Sequence, residues 1–255
     1  MIKKVEGIII STVNYKESIK IINILTKEQG IIGVFARGSR NLKSKLSSVT
    51  SPLCYGTFHL SARDEKMPNL IEVDLLNTFK QIRKDFIKSN YSLFLLELAG
   101  QVYKHSNKNN TYDLLIDGLL KINEGYDPQV ITNIVELKYL EYLGIKPVVD
   151  KCVTCSSPEN IITISSYKGG YLCQNCVGTE YIYHLKTLKL IRMFYYINLS
   201  KITKVEISDI IKKELNQFID DCYERYSGLY LKSKTFLEEF CQHDEKSKSE
   251  QPISF

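Results

Sequence analysis

The sequence predicts an α+β fold, in which a small closed β-barrel precedes a helical body with a four-cysteine knuckle set into it. Three observations predict it: a series of short β-type runs, a change of apolar period at Thr78 from strand-like to helical, and two Cys-x-x-Cys pairs. The expected boundaries are 1–78 for the barrel domain, 79–243 for the helical domain with the knuckle insertion at 151–177, and 244–255 for a disordered tail.

The β-type runs are Val5 to Val13, Ser18 to Thr26, Ile31 to Arg37, Leu53 to Ser61 and Asn69 to Leu76, each rich in Ile, Val, Thr, Phe or Tyr. Asn14, the Gln29-Gly30 pair and the stretch from Asp64 to Pro68 mark turns, while the link from the third run to the fourth is long and basic. Strands this short and this closely spaced favour a closed barrel, because closure removes the edges through which a sheet aggregates.

Beyond Thr78, Tyr91, Phe94, Leu95, Leu98 and Val102 fall on one helical stripe. The best-delimited helix runs from Pro128 to Leu143: Asp127 caps the first free amides, Pro128 suits the first turn, and Gly144 with Pro147 ends it. Two further helices are expected, Leu185 to Leu199 and Ser208 to Tyr226, the latter closed by Gly228. Their apolar stripes are read as core, since a helical domain buries one face of each helix whatever it does. From Asp244 onward, charges and serines dominate and little apolar surface remains to order the chain.

The 255 residues carry a net charge of +5, too mild by itself to require a polyanionic partner. Its distribution says more. No acidic residue lies between Ile31 and Ala62, whereas Arg37, Arg40, Lys43 and Lys45 crowd one short segment. No apolar run approaches the roughly 18 residues that span a bilayer, and the N-terminus has no hydrophobic signal core, so a cytoplasmic, membrane-free protein is expected.

Cys152, Cys155, Cys173 and Cys176 give the spacing Cys-x2-Cys-x17-Cys-x2-Cys, which suits a tetrahedral zinc site built from two knuckles. A two-residue gap lets a tight turn aim both sulfurs at one ion, and the run from Ile161 to Ser165 with Gly169-Gly170 supplies a hairpin that returns the second pair. Four thiolates close the coordination sphere, so one structural zinc ion is expected, with no open position for substrate. Cys54, Cys222 and Cys241 read as small apolar residues in or near the core.

In the basic segment, arginine offers bidentate and lysine point-charge contact to phosphates, with serine hydroxyls as further donors. Tyr15, Phe35, Tyr55 and Phe58 offer faces on which unpaired bases can stack. The candidate nucleic-acid-binding residues are therefore Arg37, Arg40, Lys43, Lys45, Tyr15 and Phe35. Each feature also has a plain reading, a solvated loop and core aromatics.

No catalytic signature is found: the four histidines are scattered, and no zinc-protease, nucleophile-elbow, P-loop or dinucleotide motif occurs. Asp64 with Glu65 and Asp220 with Asp221 are sequence neighbours and poorly placed as acid-base pairs. The chain is read as a non-enzyme. The alternatives carried beside this are an RNA-binding or ribosome-associated barrel protein and a metal-dependent nuclease whose site has no short motif.

In order along the chain, Gly7 to Ile10, Asn14 to Glu17, Leu25-Thr26, Gly30, Ala36 to Arg40, Ser44 to Leu46, Pro52, the two cysteine pairs with Gly169-Gly170 ahead of Cys173, and Leu231 to Leu237 resemble the RecO family of bacterial recombination-repair mediators. The resemblance covers nearly the whole chain. It implies an OB-fold barrel, a helical domain with a zinc knuckle, binding of single- and double-stranded DNA, and annealing of complementary strands. It further implies RecR and single-strand-binding protein as partners in loading RecA at gaps, with Arg37 and Arg40 at the family's basic positions and Lys43 and Lys45 beside them.

Overall fold

The computed structural model describes residues 2–41, 43–61, 67–106, 110–204, 206–235 and 237. The expected tail from Asp244, together with Cys241, Asp64 and Glu65, lies outside them. The chain divides into two compact units, Met1–Gly100 with the segment that begins at Tyr230, and Gln101–Leu229.

The first unit holds a closed barrel of five strands, β1 (Ile2–Asn14), β2 (Ile19–Thr26), β3 (Gly30–Arg37), β4 (Tyr55–Ser61) and β5 (Asn69–Asn77), in the order β1-β2-β3-β5-β4. This is the OB arrangement. β1 starts earlier than its apolar pattern indicates because one strand serves two neighbours: Ile2 to Ile8 pair with β4, and Gly7 to Asn14 pair with β2. The turn from one neighbour to the other happens at Gly7, which faces Gly56, and the backbone is tight there. A β-carbon at Gly56 would lie 2.4 Å from the Asp74 carbonyl oxygen.

A register shift between Ile9 and Ser11 leaves Ile10 out of step, and its side chain meets Gly100 outside the barrel. Inside are Val5, Ile9, Ile22, Ile24, Val34, Ala36, Phe58 and Leu70. β3 and β5 meet through the parallel pair Phe35 and Asn69. The long link after β3 packs Leu46 and Val49 against the same core. It is a chain of turns: Asn41 N–H donates to Gly38, Ser44 to Asn41 and Ser47 to Ser44.

After β5, Asn77 accepts from the Phe79 amide at 2.7 Å and a short helix α1 (Lys80–Arg83) precedes α2 (Phe86–Ser106). Phe94, Leu95, Leu98 and Val102 are buried on α2 as their spacing requires. Glu97 of the same helix accepts from the Lys232 and Ser233 amides and from the Ser233 hydroxyl, which anchors the returning C-terminal segment within this unit.

The second unit contains α3 (Asn110–Asn123), α4 (Pro128–Tyr142), the hairpin β6 (Ile161–Ser165) and β7 (Gly170–Cys173), α5 (Leu185–Tyr196) and α6 (Asp209–Tyr226). Asp127 accepts from the Gln129 and Val130 amides at 2.9 and 3.2 Å, as the capping pattern predicts, and Gly144 leaves the helix at φ 85. α5 stops before the expected Leu199. Asn198 accepts from the Ser200 amide at 3.0 Å and starts a separate 3-10 turn at Leu199–Lys201, a local alternative to the helical ladder.

Candidate nucleic-acid interface and metal centre

Along β3 the side chains alternate, so that Val34 and Ala36 enter the core while Phe35 and Arg37 face outward. Phe35 meets Tyr15, which stands just beyond β1 and is 53 % exposed; the ring centroids are 5.6 Å apart and tilted at 43°. The Tyr15 amide donates to the Ile19 carbonyl at 3.0 Å, fixing the turn that carries it. Lys16 places its ammonium 5.6 Å from the Tyr15 ring centre.

Two arginines are held beside this pair. Arg37 Nε donates to Asn69 Oδ1 at 2.6 Å, across the seam where β3 meets β5. Arg40 Nη1 donates to the Lys16 carbonyl at 2.7 Å, so the loop after β3 is tied to the tip of the β1–β2 hairpin. Lys43 and Lys45 stand exposed on the turns that follow.

Not every group the sequence offers belongs to this surface. Phe58 is enclosed in the core, and Tyr55 stacks on Phe79 at 6.0 Å. Ser39 is buried and donates to the Ala36 carbonyl, while Ser44 accepts from Leu46 N–H, so both hydroxyls serve the loop itself. Lys16 went unnoticed in the sequence because it lies far from the basic segment along the chain. The register of the β1–β2 hairpin against β3, which no local pattern fixes, sets Ile19 opposite Arg37 and hence the hairpin tip beside the loop.

In the second unit the four Sγ atoms of Cys152, Cys155, Cys173 and Cys176 all lie within 4.8 Å of one another, and Cys155 and Cys173 approach to 3.6 Å. A tetrahedron with metal–sulfur bonds of about 2.3 Å has edges of about 3.8 Å, so the donor set fits one ion without rearrangement of the fold. Each pair sits on its own turn. Ser156 N–H donates to the Cys152 carbonyl and Cys176 N–H to the Cys173 carbonyl. Ser156 at φ 63 and Asn160 at φ 52 take left-handed backbone where the chain reverses.

The hairpin that returns the second pair closes at Gly169, with φ 78, and Gly170 bridges Val148 as a further strand partner. Lys168 pairs with Glu180 at 2.8 Å and donates to the Cys176 carbonyl at 3.2 Å, holding the second knuckle. Burial opposes ionisation of Cys152, but amide N–H groups of Cys155, Cys173 and Thr154 outweigh it and bring the thiol down to about 6. Hydrogen bonding within the cluster pushes Cys176 the other way.

Cys54 and Cys222 are buried, and burial pushes their thiols up to about 11 and about 12, as expected of inert core cysteines. His59 pairs with Asp74 at 2.7 Å and His184 with Glu214 at 2.8 Å. No helix among the described residues is long and apolar enough to cross a membrane.

Residues 1–79 match the family model described as Recombination protein O N terminal, and residues 83–235 match Recombination protein O C terminal. Among curated proteins, the chain is 37 % identical to the DNA repair protein RecO of Bacillus subtilis over 243 residues, which covers 94 % of this chain and 95 % of the relative. It is 36 % identical to the protein of the same name from Bacillus pumilus, with 93 % and 94 % covered, and 35 % identical to that of Listeria monocytogenes, with the same coverage. Barrel, cysteine knuckles and these matches across both units agree: the chain belongs to the Recombination protein O family.

Proposed function

We propose that the chain is a non-catalytic DNA-binding mediator of repair and recombination. In this reading it binds single- and double-stranded DNA, anneals complementary strands and, with RecR, helps to load RecA onto gaps coated by single-strand-binding protein. The family and its relatives' names support a DNA repair role. The observation that carries the finer reading is the convergence of Tyr15 and Phe35, 5.6 Å apart, with Lys16 and Arg40 around one barrel end.

That surface offers two kinds of contact at once. Arg37, Arg40, Lys43 and Lys45 meet phosphates, and the tilted ring pair receives an unpaired base. Neither reads base edges, so affinity is dominated by charge and little sequence preference follows. Annealing is a consequence: strands held by their backbones keep their pairing edges exposed while their mutual repulsion is screened.

The knuckle ion is zinc in this reading, held by Cys152, Cys155, Cys173 and Cys176. It supplies architecture and takes no part in chemistry, because the four sulfurs leave no open position. The place of work is the cytoplasm, at the nucleoid.

The test is annealing of complementary oligonucleotides coated with single-strand-binding protein, with and without the chain, alongside binding titrations at several salt concentrations. Acceleration by the parent protein and a flattened salt dependence in the Arg37→Ala/Arg40→Ala variant are expected. Each neutralised phosphate contributes a slope of about 0.7 on single strands. An unchanged slope in a folded double variant overturns the assignment of this surface, and tighter binding to matched RNA overturns the choice of DNA.

A further inference from the structure

α5 carries six cationic or aromatic side chains and no acidic one. Its buried face is Leu188, Ile191 and Phe194. The opposite face is not the usual charged surface. Leu185, Met193 and Tyr196 are 63 %, 38 % and 58 % exposed, with Lys189 and Arg192 exposed among them. Lys189, Arg192, Met193, Tyr196 and Ile197 line an open depression of about 530 Å³, within the range of ligand sites.

The Tyr196 ring is fixed. Its hydroxyl donates to Asp150, whose carboxylate also takes Arg192 Nε at 2.9 Å and Nη2 at 2.8 Å. The neighbouring Tyr195 ring meets it edge-on at 5.1 Å and 85°. An exposed aromatic normally gains entropy by remaining loose; one locked by a carboxylate, a guanidinium and a second ring is prepared for stacking without further ordering cost.

We propose that this face of α5 is a second nucleic-acid contact, with Tyr196 stacking an unpaired base and Lys189 and Lys186 meeting phosphates. Lys189 and Tyr196 are two helical turns apart, about 10 Å along the axis, which spans about three nucleotides of a stacked strand. Arg192, neutralised by Asp150, serves as the fixed floor of the depression. The proposal rests on the DNA-binding reading above and adds to it a place for a second strand, which annealing requires.

The test loads the full-length protein with a saturating unlabelled oligonucleotide and titrates in a labelled, non-complementary second strand. The parent is expected to take up the second strand. Tyr196→Leu lowers that second affinity by about fivefold or more, whereas Tyr196→Phe, which keeps the ring but gives up its bond to Asp150, loses clearly less. Lys189→Glu reduces the salt slope of second-strand binding by about 0.7. First-strand affinity and thermal midpoint remain unchanged in all three.

Second-strand binding that is equal in the parent, Tyr196→Leu and Lys189→Glu overturns this inference and leaves the barrel reading intact. A parent that binds no strand at all overturns both. If Lys189→Glu abolishes capture of a poly-aspartate peptide while leaving second-strand binding unaltered, the face belongs to an acidic protein partner and the proposal is wrong.

Discussion

Arg40 donates to the backbone carbonyl of Lys16 at 2.7 Å, and through that bond the basic loop and the β1–β2 hairpin present their charges from one place. Lys43 stands exposed, and among the described residues its side chain makes no such tie. Arg40→Ala is therefore expected to weaken oligonucleotide binding more than Lys43→Ala does, although each removes one cation and each reduces the salt slope by about 0.7. Thermal stability should change by less than about 1 kcal/mol, because the bond is exposed. Anisotropy titrations at several salt concentrations separate the two effects, and equal loss of affinity would show that the Lys16 tether is idle.

The knuckle makes a different demand. The Cys152 and Cys173 side chains are buried and share a small cluster with Leu172, so an ion held by the four sulfurs would be continuous with a patch of core. Binding energies for such sites are about 10–16 kcal/mol, far beyond what that patch supplies. Elemental analysis of protein purified without chelator should give about one zinc per chain. Cys173→Ser or a strong chelator should release it and lower the thermal midpoint, while binding of a single strand to the barrel persists. Parallel loss of both would mean that the two units fail together.

Two glycines of the second unit should differ in what substitution costs. A β-carbon at Gly170 would lie 2.5 Å from the Val148 carbonyl oxygen and 2.8 Å from the Val148 nitrogen, so strand and backbone must separate. Gly170→Ala is expected to cost about 3 kcal/mol and to loosen the hairpin that carries Cys173. Gly125 has φ 93 with open space where its β-carbon would stand. Gly125→Ala meets only the left-handed backbone penalty, about 1 kcal/mol. Chemical denaturation of the two variants, with metal content measured alongside, tests the ordering.

The elements that a periodic pattern can specify were legible in the sequence. Asp127 and Pro128 announce α4 because capping is a contact between near neighbours, and the alternation of β3 already turns Phe35 and Arg37 outward. The cysteine cluster was legible for the same reason, since two residues of spacing suffice to define each half of it. What could not be read depends on closure. That Tyr15 meets Phe35, or that Lys16 faces Arg40, follows from hairpin register and from the order in which the barrel closes. The Asp150 clamp on Arg192 and Tyr196 joins residues more than forty positions apart, and no local pattern marks it. Ser39 and Ser44 illustrate the converse, polar side chains that look available for a ligand until the loop's own turns claim them.

Glu214 provides a pH prediction whose sign can be worked out. Its carboxylate on α6 is 4 % exposed and accepts from the Thr187 hydroxyl, His184 Nδ1 at 2.8 Å, the His184 amide at 3.1 Å and the Tyr181 hydroxyl at 3.1 Å. Burial alone would raise its pKa, but the hydrogen bonds from Thr187, His184 and Tyr181 outweigh burial and hold it below the ordinary 4.5. A carboxyl depressed in the folded state contributes stability that is complete above its unfolded value and disappears as pH falls through the folded one. The second unit should therefore lose stability on acidification below about 4.5, and Glu214→Gln, which cannot ionise, should flatten that part of the profile. At neutral pH the same variant should be less stable by about 1–3 kcal/mol, because an amide cannot accept from so many donors. Denaturant midpoints measured from neutral to acidic pH decide the matter: parallel profiles for the parent and Glu214→Gln would mean that the carboxylate's charge is not what joins α5 to α6.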